Sequence, residues 1–420
     1  MPNSTSNTYT LKRDILKFAN KISEKLTRPD KKFVGEITYG MLASNSCLLT
    51  DIIDTLHEKT KKINSVERLT RHLKNGIPDQ ALDSYLNTIC KWCPTNPIIH
   101  IDDSDVVKHY GEKFEHLDWV RDGSKSNANK NVYDKGYHVT EATVLTESNH
   151  PVSVFSEIHS VKEKDFTSMN HITFSAMERG ANLFKKATFV MDRGYDDNKM
   201  FQKLTDLGQD YVIRLKSNRK LFYHNKWVAA TELRNRRKGK LKLNIRYKEK
   251  IHSVYISHVK VQITASKQDI YLVLVYGITE SPMMLATNKM LKSKDDVIRV
   301  ARNYFSRWRI EEYFRSKKNI FKFEDFRVRS LIAINSLNFY ITLCMAFLAH
   351  LTLKSNVNHL KQTILKEANA IKEKVNFSYY RLAKGTSNIL AYAREGVRLW
   401  FKPDSSAKTK HFQICLPIFD

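Results

Sequence analysis

The sequence predicts an α/β protein whose mixed, partly parallel sheet is flanked by helices, preceded by a helical segment and interrupted by a β-rich insertion. Three observations carry that prediction. Apolar positions recur at helical spacing through residues 1 to about 90. From Pro97 onward short apolar runs alternate with helical stretches, and after Lys220 the pattern turns strand-rich and basic before a charged helix begins near Lys294.

In the first segment LLTDIIDTLHE and NSVERLTRHLKNG read as helices, the second capped by Asn64 with Glu67 three residues on and closed before Gly76. Arg68 and Arg71 share one of its faces. That arrangement is compatible with a DNA-binding helix-turn-helix and equally with a plain helical domain.

PIIHIDDSD is a short apolar strand running into acids, with Ile99, Ile101 and Asp102 marking the change from strand to loop. GYHVTEATVLTESNHPVSVFSEIHS gives two alternating strands joined at SNHP. A helix at about 171 to 184 precedes KATFVMDRGYDD, a strand that also ends in acid. NKMFQKLTDLG is a helix closed by Gly208, and DYVIRLKS is a strand. KLKLNIRY, HSVYISHVKVQIT and DIYLVLVYG supply the strands of the insertion. The resulting division is 1–90 helical and DNA-binding, 97–218 first part of the core, 219–292 basic β-rich insertion, 293–355 second part of the core, and 356–420 a C-terminal helical region.

Seventy Lys and Arg oppose 44 Asp and Glu among 420 residues, a net charge of +26 that attracts polyanions and repels a basic partner. The excess is concentrated. Fourteen Lys or Arg fall between Arg214 and Lys250, interleaved with Phe222, Tyr223, Trp227 and Tyr247, so phosphate contacts and stacking rings occur together.

The N-terminus MPNSTSNTYTLKRD has no apolar signal core, and five cysteines fit a reducing compartment, so an intracellular protein is expected. Cys90 and Cys93 form a CxxC with no second pair at zinc spacing, and no metal is assigned to them. The uncharged run from Leu331 to Leu353 is long enough to span a bilayer. Asn335, Ser336, Asn338, Thr342 and His350 interrupt it, so it reads as a buried core helix, with no membrane partner.

YFSRWRIEEYFRSKK, residues 304 to 318, places Tyr304, Arg307, Glu311 and Lys318 on one narrow helical face, which Arg315 extends. Glu311 then has Arg307 at i−4 and Arg315 at i+4. Taken alone the stripe fits a surface ion-pair ladder, worth about 0.3 to 0.5 kcal/mol per pair. The rest of the chain suggests more. Asp102 and Asp192 each end an apolar strand, and on parallel neighbours about 4.8 Å apart their carboxylates would converge at one sheet edge. With Glu311 as the third acid they would hold two Mg²⁺ ions about 3.5 to 4 Å apart, while the basic neighbours hold DNA phosphates. Asp103 and Asp105 compete for the first position, and Glu312 for the third.

These residues resemble the DDE transposases of bacterial insertion sequences, in the subgroup with a Tyr-x2-Arg-x3-Glu-x6-Lys signature, which Tyr304, Arg307, Glu311 and Lys318 match without a gap. IDDSDV resembles that family's first-Asp segment, with Asp103 where a small residue is usual, and DRGYD matches the second. The resemblance covers about 97 to 350. It implies an RNase H-like sheet of order 3-2-1-4-5 with a β-rich insertion between the second Asp and the Glu. It also implies cut-and-paste transposition by two-metal-ion phosphodiester hydrolysis and strand transfer, with Asp102, Asp192 and Glu311 binding two Mg²⁺, for which Mn²⁺ substitutes. Tyr304, Arg307 and Lys318 would hold phosphates, a role that Arg315 would share by its place on the same helical face, and Trp227 would receive a flipped base. The implied partners are double-stranded DNA, as transposon ends and target, and a second copy of the chain in a synaptic homodimer. The implied setting is the bacterial cytoplasm, at the nucleoid. The alternatives are a transposase-derived DNA-binding protein and an RNase H-like nuclease that stops at hydrolysis.

Overall fold

The computed structural model describes residues 4–127, 130–247, 250–353, 359–368, 378–393 and 395–401. The chain opens with helices α1 (Ser4–Ile22), α2 (Arg28–Ser44), α3 (Leu49–Leu56), α4 (Lys62–Lys74) and α5 (Asp79–Cys90). Pro29 stands in the first turn of α2, where a missing N–H costs nothing, and the Thr27 side chain accepts from Asp30 N. Asn64 does not cap α4. That helix starts two residues earlier, at Lys62, and the Asn64 N–H donates to Lys61 O within its first turn.

Strands β1 (Ile98–Val107), β2 (Asp118–Arg121), β3 (Tyr133–Leu145) and β4 (Pro151–His159) follow, then α6 (Met169–Leu183), β5 (Thr188–Met191), α7 (Asn198–Asp206) and β6 (Asp210–Arg214). The insertion contributes β7 (Lys220–Tyr223), β8 (Lys226–Ala229), α8 (Ala230–Asn235), β9 (Leu241–Tyr247), β10 (Lys250–Ile263), β11 (Gln268–Tyr276) and β12 (Met283–Thr287). Helices α9 (Lys294–Ser306), α10 (Trp308–Ile320), α11 (Leu331–His350), α12 (His359–Glu367) and α13 (Tyr379–Leu390) complete the described chain. Of the expected 356–420 region, residues 356–358, 369–377, 394 and 402–420 lie outside the described residues.

The strands form one sheet. β4 pairs β3, β3 runs antiparallel to β1, β1 parallel to β5, and β5 parallel to β6. From β6 the same sheet continues through β12, β11, β10, β7 and β8, so the insertion prolongs it instead of standing apart. β2 joins β3, and β9 joins β10.

Side-chain alternation splits the packing between two faces. Phe189 and Met191 of β5 and Tyr211 and Ile213 of β6 enter the larger core with Met177 of α6 and Phe201 of α7. Val190 and Val212 face the other way, onto Val297, Val300, Ala301, Tyr304 and Phe305 of α9. Each such apolar side chain contributes about 1.5 to 3 kcal/mol when fully buried, which presses α9 firmly on the sheet.

Two expectations are corrected. The acids of IIHIDDSD do not follow β1 but lie inside it, because β3 keeps pairing with β1 as far as Val107. The strand-to-loop change expected at Asp102 is instead the point where β1 has lost its other neighbour, since β5 pairs it only over Ile98 to His100. The helix expected through 304–318 is two helices, α9 and α10, which meet at Arg307. There the ladder tightens, with Arg307 N donating to Tyr304 O and Ile310 N to Arg307 O.

Helix α11 is long and apolar enough to cross a membrane, yet 89% of its most apolar window is buried within the fold. Its polar residues explain the placement. Asn335 accepts from Ile158 N and donates to Ile158 O, both at 2.8 Å, satisfying backbone groups on the outer side of β4. Asn338 donates to Ser156 Oγ at 2.7 Å.

Candidate active site

The parallel register of β1 and β5 pairs His100 with Val190. Two residues further along each strand come Asp102 and Asp192, on the side that α9 and α10 cover. Asp192 caps the short turn Arg193–Tyr195 and accepts from Gly194 N at 2.6 Å. A Cβ on Gly194 would lie 2.9 Å from Asp192 Oδ1, so the glycine keeps this carboxylate's surroundings open. Beyond it Asp196 is buried and joins Arg219 at 2.6 Å, tying the DRGYDD loop to the start of the insertion.

Helix α10 brings the third acid. Arg307 Nη1 donates to Asp102 Oδ2 at 2.7 Å, and its Nη2 donates to Glu311, so one guanidinium bridges carboxylates from β1 and α10. Burial pushes the Asp102 carboxyl up to about 7; Arg307 opposes this, while Asp192, Asp103 and Glu311 add to it. Burial lowers the Arg307 pKa, but Asp102 and Glu311 more than offset it and hold it above its usual value. Asp103, the competitor for the first position, accepts from the Thr140 hydroxyl at 2.6 Å on β3.

The other signature residues take distinct places. Tyr304 is buried beneath α9. Lys318 contacts Asp105 at 3.0 Å and Glu324 at 3.1 Å. Arg315 does not flank Glu311 as its spacing suggested. It reaches Glu312 at 3.4 Å and lies over the Trp308 ring, 5.8 Å from its centroid. Trp308 Nε1 donates to Glu312 Oε1 at 3.2 Å, so Glu312 is engaged away from Asp102.

Lys317, passed over in the sequence because the signature lysine is its neighbour, is fully buried and meets Glu141 at 2.9 Å. Glu141 is the cross-strand partner of Asp102. A lysine beside the signature position on an otherwise apolar helix face was the available signal.

Three predicted DNA contacts stand elsewhere. Arg68 is held between Glu36 at 2.5 Å and Glu58 at 2.9 Å, inside the helical segment. Arg71 is exposed. Trp227 is 45% exposed on β8, at the far end of the sheet. Seven strand steps separate β8 from β1, roughly 30 Å at the usual spacing.

Among the described residues no group of three or more His, Cys, Asp or Glu side chains stands close enough to hold a metal ion as arranged here, with Arg307 between Asp102 and Glu311. The donor chemistry nevertheless fits a hard divalent cation. The acids are carboxylates with no thiolate or imidazole among them, and the burial and neighbouring acids that raise Asp102 are opposed by positive charge.

The family described as "Transposase DDE domain" matches residues 95–348. No curated protein matches this chain. Among solved structures, the chain is similar to a piggyBac transposase in a synaptic complex with hairpin DNA, with a TM-score of 0.44, 10% identity, and coverage of 96% of this chain and 84% of that one.

Proposed function

The chain belongs to the transposase DDE domain family, and from that membership we propose that it moves a DNA element by cut-and-paste transposition, through hydrolysis and strand transfer at Asp102, Asp192 and Glu311. The observation that carries the proposal is the level placement of Asp102 and Asp192 on parallel neighbours, with Arg307 joining Asp102 to Glu311. We read the ladder β4-β3-β1-β5-β6 as the RNase H-like order 3-2-1-4-5, with β2 as an added strand.

In this reading Asp102, Asp192 and Glu311 hold two Mg²⁺, which would supply Lewis acidity and charge neutralisation at the scissile phosphate. The chain's own cations do the positioning. Arg307 and Lys318 are each paired with carboxylates, and an arriving phosphodiester offers competing oxyanions in the fork geometry that a guanidinium prefers. Arg307 thus passes from bridging two acids to holding the DNA beside them. Tyr304 is buried on α9, and its backbone carbonyl accepts from Arg307 N where the two helices meet.

We assign α1–α5 and the exposed Arg71 to DNA held away from the cut, and the insertion to the duplex beside it. Two copies of the chain on a pair of element ends complete the assembly. No observation favours the nuclease or the non-cutting reading. Incubating the protein with Mg²⁺ and the DNA that flanks its own reading frame, then mapping nicks and joints, separates the three. Joined 3′ ends support transposition; nicks without joints support a nuclease, and binding without nicks a DNA-binding protein.

A further inference from the structure

The insertion carries a cavity of about 1000 Å³ that the mechanism above does not use. It is lined by Arg236, Arg237, Lys238, Lys240, Lys292 and Lys294, while Leu233, Leu241 and Ile256 form an apolar floor. No acid lines it. Of the acids close by in sequence, Glu232 pairs with Arg236 at 3.4 Å, and Asp296 is engaged in capping α9 through Ser293. Lys238, Lys240, Lys292 and Lys294 are exposed and have no acidic partner among the described residues. Ser257, also in the lining, has a buried hydroxyl without a hydrogen-bond partner. Like charges crowded around a concavity repel one another, so this arrangement suits an anion that bridges them.

One helix ties the cavity to the candidate active site. Lys292 and Lys294 stand at the start of α9, and Arg307 stands at its end. Thirteen residues of α-helix at a rise of about 1.5 Å each span roughly 20 Å. Packing of α9 against Val190, Val212 and Leu285 makes it a rigid spacer. Along B-form DNA, with about 3.4 Å between successive phosphates of one strand along the axis, that length corresponds to about six base pairs.

We propose that this cavity is a second DNA-backbone site, which grips phosphates of the duplex about six base pairs from the one being cut. The proposal rests on the transposase reading. It adds a fixed distance to it, so that the enzyme distinguishes a continuous duplex from a short end by the phosphates present at the far end of α9.

The test is equilibrium binding of the full chain to duplexes spanning the element's end, one extending three base pairs either side of the cut and one extending fifteen. The wild type is expected to bind the long duplex at least tenfold more tightly at about 0.1 M salt. Its salt slope on the long duplex should exceed that on the short one by about 2 to 3, since each phosphate contact adds about 0.9. The triple variant Arg236→Glu, Lys240→Glu, Lys292→Glu should lose this length advantage, and the triple variant Arg236→Lys, Lys240→Arg, Lys292→Arg should keep it. An undiminished advantage in the charge-reversed variant, or no advantage in the wild type, overturns the second site. Failure of the wild type to bind either duplex at low salt overturns the transposase reading itself.

Discussion

Lys317 Nζ lies 2.9 Å from Glu141 Oε2, both side chains buried, and Glu141 faces Asp102 across the β1–β3 ladder. The pair therefore locks α10, which carries Glu311, to the strand beside the first carboxylate. Ser156 and Thr342 complete the Lys317 environment at 3.3 and 3.4 Å. Removing one partner strands a charge in the core. Lys317→Met is expected to cost about 3 to 5 kcal/mol in urea denaturation, and adding Glu141→Leu to recover much of it, because a matched apolar pair leaves no uncompensated charge. Equal losses in the single and double variants would contradict this.

Arg68 serves the fold. Its partner Glu36 is 1% exposed, so Arg68→Ala leaves a buried carboxylate with only Lys32 at 3.4 Å. A loss of about 2 to 3 kcal/mol in stability is expected. DNA affinity per folded molecule should stay within about twofold of wild type, whereas a phosphate contact would be revealed by a salt slope lower by about 1.

Stability should fall in mild acid. Burial pushes His150 and His159 down to about 4 from an ordinary value near 6.5. Both are neutral in the fold, while the unfolded chain takes up protons as pH drops below about 6.5, so the stabilisation is complete above that pH and is lost as pH falls toward 4. Each histidine contributes on the order of 2 kcal/mol to the difference between pH 7 and pH 5. Urea midpoints at the two pH values check this, and His150→Gln should flatten the dependence.

The acids of the candidate site stand out in the sequence because each sits in a local pattern, Asp102 within one apolar strand, Asp192 just past another, and Glu311 four residues after Arg307 where two helices meet. What escaped was long-range. Lys317 and Glu141 are far apart in the chain, as are Arg68 and Glu36, and no local period reveals which charge finds a partner in the folded core. Arg315 was placed beside Glu311 by ideal helical geometry, but the Trp308 ring and Glu312 offered it a nearer pairing. The continuation of the sheet through β12 into the insertion was missed because MMLAT, all buried, lacks the alternation that marks a strand with one wet face. The reading of 331–353 as core rested on polar residues that had no evident use until Asn335 and Asn338 met β4.

Binding of linear duplex should weaken steeply with salt. The fourteen basic residues of 214–250 and the cavity they help to line imply several phosphate contacts, so affinity should drop by about 10³ or more between 50 and 200 mM salt. Filter binding across that range measures it, and an affinity indifferent to salt would remove the electrostatic grip.

Glu311→Gln tests the central claim most directly. The substitution keeps the side chain's size and its capacity to accept from Arg307 but removes the charge a hard divalent cation requires. The measurement is Mg²⁺-dependent cleavage of element-end DNA, alongside affinity for the same DNA. The account predicts that cleavage falls by at least about 10³ while affinity stays within a few-fold, that Asp102→Asn and Asp192→Asn match it, and that combining them adds little. Cleavage by Glu311→Gln at near the wild-type rate would contradict it and turn attention to Glu312.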